Sequence, residues 1–303
     1  MMQTSASSHL VIFGCGYVGT AFAREALRRG MRVTALTRNA TRAGELRALG
    51  LDVIEGELAD HAWHPRIAHA DWVLNTVSAA DPTPEGYRRS YVDGMRSILA
   101  WAAGLERPVG TFLYTSSTGV YPQGGGAEVD ETASTAHASV TGRILVEAED
   151  LLRAAPATAV ARWFILRLAG IYGPGRHYLL NALRAGTTQF GGSPAFRMNL
   201  AHRDDIVAAL FACAEAPPTV ANETCNVSDG APATKQDLLA WLAHEIGAPA
   251  PGFDGAATGS ARKGGDPTPD RIIRSEKLRR LVGWQPRHAD FRAGYRAILG
   301  REV

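Results

Sequence analysis

Six residues near the start of the chain, Gly14-Cys15-Gly16-Tyr17-Val18-Gly19, have the types and spacing to hold a phosphate. In a G-x-G-x-x-G turn the first glycine permits a sharp reversal and the second lets a pyrophosphate approach the backbone. The third allows a helix to pack closely on a strand. A helix starting at such a turn also points unpaired N–H groups and partial positive charge at the anion. The pattern is informative only between a strand and a helix. Here Leu10–Phe13 is a short apolar run before the turn. Val18, Ala21, Phe22 and Ala26 share one helical face after it, Gly30 stops that face, and Val33–Leu36 is a second apolar run. Strand, turn, helix and strand within about 30 residues predict a dinucleotide-binding unit.

The end of the second run bears on which dinucleotide. A carboxylate there bonds the ribose hydroxyls of NAD, whereas an arginine nearby accommodates the 2′-phosphate of NADP. This chain reads Thr37-Arg38-Asn39, with Arg42 next on the helix side and no carboxylate. A guanidinium fork matches a phosphate, so the expected cofactor is NADP, with NAD the alternative.

These groups need a scaffold, and the hydrophobic pattern supplies one. Strands are expected at Leu51–Glu55, Asp71–Thr76, Gly110–Thr115 and Arg162–Leu168, and helices at Thr41–Leu49, Glu85–Ala103 and Val140–Arg153. Such alternation implies an α/β fold, a doubly wound parallel sheet of Rossmann type. Ligands bind beyond the C-terminal ends of its strands, which draws Leu58, Ser78, Ser117, Tyr121 and Ile171 into the candidate site. After Gly173-Pro174-Gly175 the composition becomes irregular, with helical patterns at Asp204–Ala214 and Thr234–Ile246 and a Gly-, Pro- and Ala-rich stretch over Ala248–Asp270. The expected division is a dinucleotide-binding domain of residues 1–170, joined by about 200–230, and a smaller substrate lobe of residues 171–199 and 231–303.

Composition sets bounds. With 303 residues, 46% hydrophobic and 20% charged, the chain has the profile of a soluble globular protein. A net charge of +2 gives no argument for a nucleic-acid partner, and the Arg271–Arg280 stretch reads as a charged helix face. The lead from Met1 to His9 lacks a basic residue, unlike a signal peptide, and no apolar run approaches a membrane span. Cys15, Cys213 and Cys225 are odd in number and far apart, which suits free thiols in a reducing cytoplasm rather than disulfides or a metal site.

Further motifs carry a resemblance. They are Tyr91-Val92-Asp93-Gly94, Tyr114-Thr115-Ser116-Ser117-Thr118-Gly119-Val120-Tyr121, Leu166-Arg167-Leu168-Ala169-Gly170-Ile171-Tyr172-Gly173-Pro174-Gly175, His202-Arg203-Asp204-Asp205 and Cys225-Asn226-Val227. With the glycine turn, they make the chain resemble the extended short-chain dehydrogenase/reductases, the group that includes NAD-dependent sugar-nucleotide epimerases and dehydratases. The resemblance runs from Gly14 to about Leu299. It implies hydride transfer at a carbonyl or secondary alcohol, with a nucleotide sugar as the substrate class. It also implies a homodimer through the helices Glu85–Ala103 and Val140–Arg153.

The family's catalytic group is a Ser, a Tyr-x-x-x-Lys pair and an Asn. Ser117 matches the Ser. Aligning Glu147 with the family's glutamate puts Arg143 on the Lys position, Ser139 on the Tyr position and Asp93 near the Asn, so three of the four positions depart from the pattern. A phenol with pKa near 10 can be tuned into a general acid. A serine hydroxyl is far less acidic, and an arginine holds its charge without releasing a proton. This erosion resembles the atypical branch of the superfamily. Cofactor binding through Gly14, Gly16, Tyr17, Val18, Gly19, Thr37, Arg38, Asn39, Leu58, Ser78, Arg143 and Ile171 is expected to persist. Proton transfer needs another group, for which His137, Tyr121 and Asp93 are candidates; otherwise the chain is a non-catalytic NADP(H)-binding sensor. Ser139 also reads as a helix cap. Tyr121, Arg176, His177 and His202 are the substrate-side candidates, the basic ones suiting an anionic substrate.

Overall fold

The computed structural model describes residues 7–79, 81–254 and 268–300. The chain forms two compact units, one of residues 1–116, 140–166 and 210–224, the other of residues 117–139, 167–209 and 225–303. The first unit opens with β1 (His9–Phe13), buried at every position, and α1 (Tyr17–Arg28). There follow β2 (Arg32–Thr37), α2 (Ala40–Ala48), β3 (Asp52–Glu55) and β4 (Trp72–Asn75). Asn39 caps α2 by accepting a hydrogen bond from the Arg42 amide at 2.8 Å, as a short polar side chain before a helix should.

Next come a single helical turn, α3 (Pro84–Tyr87), a π-helical turn over Arg88–Asp93, α4 (Gly94–Ala103), β5 (Thr111–Ser117) and α5 (Val140–Arg153). The sheet has seven strands in the order Glu223–Val227, Trp163–Leu168, β5, β4, β1, β2, β3. The pairs β1–β2, β1–β4, β2–β3 and β4–β5 are parallel, with Val11 facing Thr34 on one side and Val73 on the other. The order reverses between β1 and β4, and in an open α/β sheet a ligand enters the crevice at that point. Beneath it, Phe13, Trp63 and Trp101 pack with ring centroids 5.0 to 5.9 Å apart.

Two sequence expectations change, and one strand is new. The helix expected over Glu85–Ala103 is interrupted by the π-helical turn, where Gly94 comes close enough to Leu58 that a Cβ would stand 2.7 Å from Leu58 Cδ2. The Arg271–Arg280 stretch is not one helix face: Arg271–Ile273 is a strand paired with Ala127–Val129, and the helix runs from Glu276 to Val282. The strand Glu223–Val227, on the sheet's edge, went unread. Residues 255–267 of the Gly-, Pro- and Ala-rich stretch lie outside the described residues. Among the described residues no helix is long and apolar enough to cross a membrane.

The second unit has its own core of Tyr172, Leu179, Leu180, Leu238, Leu242, Phe291 and Tyr295. Tyr172 stacks on Tyr295 at 5.0 Å, and its hydroxyl lies where a Cβ on Gly294 would approach to 1.8 Å. Gly294→Ala should therefore push the ring out of the stack and cost about 1–3 kcal/mol of stability. Denaturant unfolding checks this, and an unchanged midpoint would contradict it.

Candidate dinucleotide and catalytic site

At the crevice, Gly14 adopts φ +81, and a Cβ there would lie 2.5 Å from the Val77 backbone. A Cβ on Gly19 would meet Gly14 O at 2.8 Å and Thr76 Cγ2 at 2.9 Å. Those two glycines are required by packing. Gly16 differs, because a Cβ there meets nothing nearer than 3.9 Å. It also precedes α1 and, as glycine, offers the helix's first turn no side-chain cap. Open space at the start of a helix fits a pyrophosphate. Tyr17 and Val18 form the first turn of α1, with Val18 buried.

At the end of β2, Arg38 is half exposed and pairs with Glu57 at 3.5 Å. Arg42 turns back to the glycine loop instead. Its Nε and Nη2 donate to Cys15 O at 3.3 and 3.2 Å, and Nη2 also donates to Thr20 Oγ1. Thr37 Oγ1 accepts from the Asn39 amide at 3.3 Å. Leu58 packs against Gly94, and Ser78 is exposed just past β4.

On α5, Arg143 is exposed, and Ser139 directly precedes the helix. One turn further, Glu147 receives both Arg88 Nη groups at 2.9 Å and Arg96 Nη2 at 3.2 Å, while Asp93 pairs with Arg96 at 3.3 Å. Deeper, Ser116 Oγ donates to the fully buried Glu149 at 2.6 Å, and Arg153 completes the charge pairing at 2.7 Å. Glu149 gives no signal in the sequence, where a glutamate on an amphipathic helix reads as solvated.

In the second unit Ser117 begins a 3₁₀ turn and its Oγ accepts from the Gly119 amide at 3.1 Å. The loop is held from below by Arg271, which donates to Tyr121 O at 2.6 Å and Thr118 O at 2.7 Å. Burial pulls the Arg271 guanidinium down to about 10, so it stays cationic near neutrality. Tyr121 is buried, donating to Asn226 Oδ1 at 2.8 Å and accepting from Arg167 Nη1 at 2.9 Å, and burial pushes its phenol up. Ile171 is half-buried in a short strand paired with Leu200–His202. Of the substrate-side candidates Arg176 is exposed, whereas the side chains of His177, His202 and Tyr121 lie in the unit's interior. His137 is exposed.

His202, Asp205 and His288 bring three ligand-type atoms within 4.8 Å of one another. The hydrogen bonds argue for a different role. Asp205 accepts from the Arg287 and His288 amides at 2.8 and 3.1 Å and faces His288 Nδ1 at 2.9 Å. His202 Nδ1 accepts from the Asp204 amide at 3.3 Å, which leaves the ring hydrogen on Nε2 and no lone pair there for a metal. Burial, with the neighbouring His288, pushes His202 down to about 4 and keeps it neutral. The trio fastens residues 287–288 to the helix Arg203–Ala214.

Comparison with known proteins agrees with this geometry. The profile of the NAD dependent epimerase/dehydratase family matches residues 10–228. The Escherichia coli protein YeeZ is 32% identical over 215 residues, which is 69% of this chain and 73% of YeeZ. Among solved structures, the UDP-glucuronic acid 4-epimerase from Bacillus cereus in complex with UDP-glucuronic acid and NAD superposes with a TM-score of 0.81 at 16% identity, covering 97% of this chain and 100% of that one. The UDP-glucose 4-epimerase from Thermotoga maritima with UDP-glucose gives 0.81 at 18% identity, covering 97% and 99%. At these identities the two superpositions speak to the fold.

Asp229 follows the strand Glu223–Val227 and is buried, its Oδ1 accepting from the Ala231 amide at 3.0 Å. Burial pushes its carboxyl up to about 7, against the opposing pull of that amide and Arg279. The unfolded chain loses this proton near the ordinary carboxylate value and the folded chain holds it longer. The Asp229 contribution is therefore fully present below about pH 4 and is lost as pH rises through about 7. Asp229→Asn should flatten that decline and stabilise the fold above pH 7, as read by unfolding midpoints against pH. Parallel curves for the two proteins would contradict it.

Proposed function

The chain belongs to the NAD-dependent epimerase/dehydratase family, and from that premise we propose an NADP-dependent enzyme acting on a carbonyl or secondary alcohol of a nucleotide sugar. The observation that carries the reading is the glycine loop: open space over Gly16 at the start of α1 and the Arg42 guanidinium folded back on Cys15, with Arg38 rather than an acidic residue directly after β2. The loop amides from Gly14 to Gly19 would hold the pyrophosphate. Arg42, with Arg38 beside it, would take the 2′-phosphate, with Thr37, Asn39, Leu58 and Ser78 on the same unit. A bound nicotinamide supplies or accepts a hydride. The chain's own groups do the rest: Ser117 donates to the substrate oxygen, Arg143 holds the ribose, and Arg176 meets the anionic part of the substrate. The structurally similar epimerases with UDP-sugars support the substrate class. Homodimerisation through α4 and α5 is part of the same reading.

A second reading, an NADP(H)-binding redox sensor, draws on Ser139, just before α5, and Arg143 on it, where the family's phenol and amine would stand. Conversion of UDP-glucose or UDP-glucuronic acid by the NADP-loaded protein, followed by NMR, separates the two. Arg42→Ala tests the cofactor assignment. Losing one charged phosphate contact should weaken NADPH binding about 10- to 100-fold and leave NADH binding nearly unchanged. Equal weakening of both would place Arg42 in the framework rather than on the 2′-phosphate.

A further inference from the structure

The two arginines that follow β2 each hold a carboxylate, and they hold it differently. Arg42 pairs with Glu45 at 2.5 Å on its own helix, and the same guanidinium bonds the glycine loop at Cys15 O. It is fixed from two sides. Arg38 instead reaches the neighbouring chain segment and pairs with Glu57 at 3.5 Å. The sheet brings these two residues together. Thr37 faces Glu55 in the β2–β3 register, and the Gly56 amide donates to Thr37 O at 3.0 Å, so the chains leave both strands side by side. The polar groups next to Arg38 serve local structure. Asn39 Oδ1 caps α2 by accepting from the Arg42 amide at 2.8 Å, and Thr37 Oγ1 accepts from the Asn39 amide at 3.3 Å.

The Arg38–Glu57 pair is suited to exchange. Its side chains are 52% and 36% exposed, and its contact is longer than the 2.8 Å between Arg47 and Glu55 nearby. An exposed ion pair of this kind contributes little to stability, so a stronger anion displaces its carboxylate at small cost. A 2′-phosphate is such an anion, because it carries more charge than a carboxylate and matches the guanidinium fork. A ribose 2′-hydroxyl has no charge with which to compete for Arg38. It donates to a carboxylate instead.

We propose that Glu57 sets the choice between NADP and NAD, supplying from the end of β3 the carboxylate that is missing directly after β2. This rests on the cofactor reading above. For NADP(H), Arg38 has to leave Glu57 for the 2′-phosphate, and the carboxylate left beside that phosphate repels it. For NAD(H), Arg38 stays on Glu57, and the same carboxylate is an acceptor for the 2′-hydroxyl. Glu57 therefore acts against NADP in one state and for NAD in the other. Arg42, held on the glycine loop, is the cation that offsets it.

The test is the affinity of the full chain for NADPH and for NADH, read by dihydronicotinamide fluorescence, in wild type, Glu57→Gln and Glu55→Gln. Glu55→Gln makes the same charge change on the neighbouring Arg47 pair and is the local control. Glu57→Gln should bind NADPH about 3- to 10-fold more tightly and NADH no better than wild type. Most of that gain should vanish in about 1 M salt, where exposed charges are screened. Glu55→Gln should keep the wild-type ratio of the two affinities. A ratio in Glu57→Gln that stays at the wild-type value or moves toward NADH overturns the proposal, as does an equal shift in Glu55→Gln. The cofactor reading fails separately: wild type that prefers NADH contradicts it, while a Glu57→Gln ratio shifted toward NADPH would still identify Glu57 as the selector. Wild type that takes neither dinucleotide overturns both.

Discussion

The close approach of two backbone segments at the sheet's reversal point governs the first unit. Gly14 lies so near Val77, and Gly19 so near Gly14 and Thr76, that no side chain fits at either position. That contact fixes where α1 begins and brings the end of β4 beside the glycine loop. Gly16 is spared from the contact and keeps open space above it. The same geometry that leaves no room at two glycines leaves it at the third, beside the start of α1.

Positioning elsewhere relies on buried charge tied to backbone. Arg271 grips two carbonyls of the loop that carries Ser117, and Asp205 takes two amides next to His288. Glu149, fully buried, is matched by Ser116 and Arg153. Each is costly to break from one side only, because the partner left behind is a buried charge or an unsatisfied amide. Such groups make a site rigid without touching substrate. Arg143 and Arg176, by contrast, are exposed.

The fold was legible because its signals are local. Apolar runs of strand length, a glycine turn that only glycine can make, and a capping asparagine before α2 each act over a few residues. The unread parts depend on distant partners. Arg42 stands out in the sequence as a phosphate candidate, but that its guanidinium turns back onto Cys15 O shows only once α2 is placed beside the glycine loop. Arg271 reads as surface charge, since arginine is seldom buried, until its strand pairs with Ala127–Val129. The π-helical turn leaves no mark in hydrophobic periodicity, because it shifts phase by one residue inside a run that still reads as helix. The exchange of Tyr and Lys for Ser139 and Arg143 was visible in the sequence.

The most direct measurement is to denature the purified protein and identify by mass spectrometry the small molecules it releases. The account predicts NADP⁺ or NADPH, accompanied by a nucleotide sugar if substrate is retained. Release of NAD⁺ or NADH in their place would contradict the assignment of Arg42 and of the carboxylate-free end of β2.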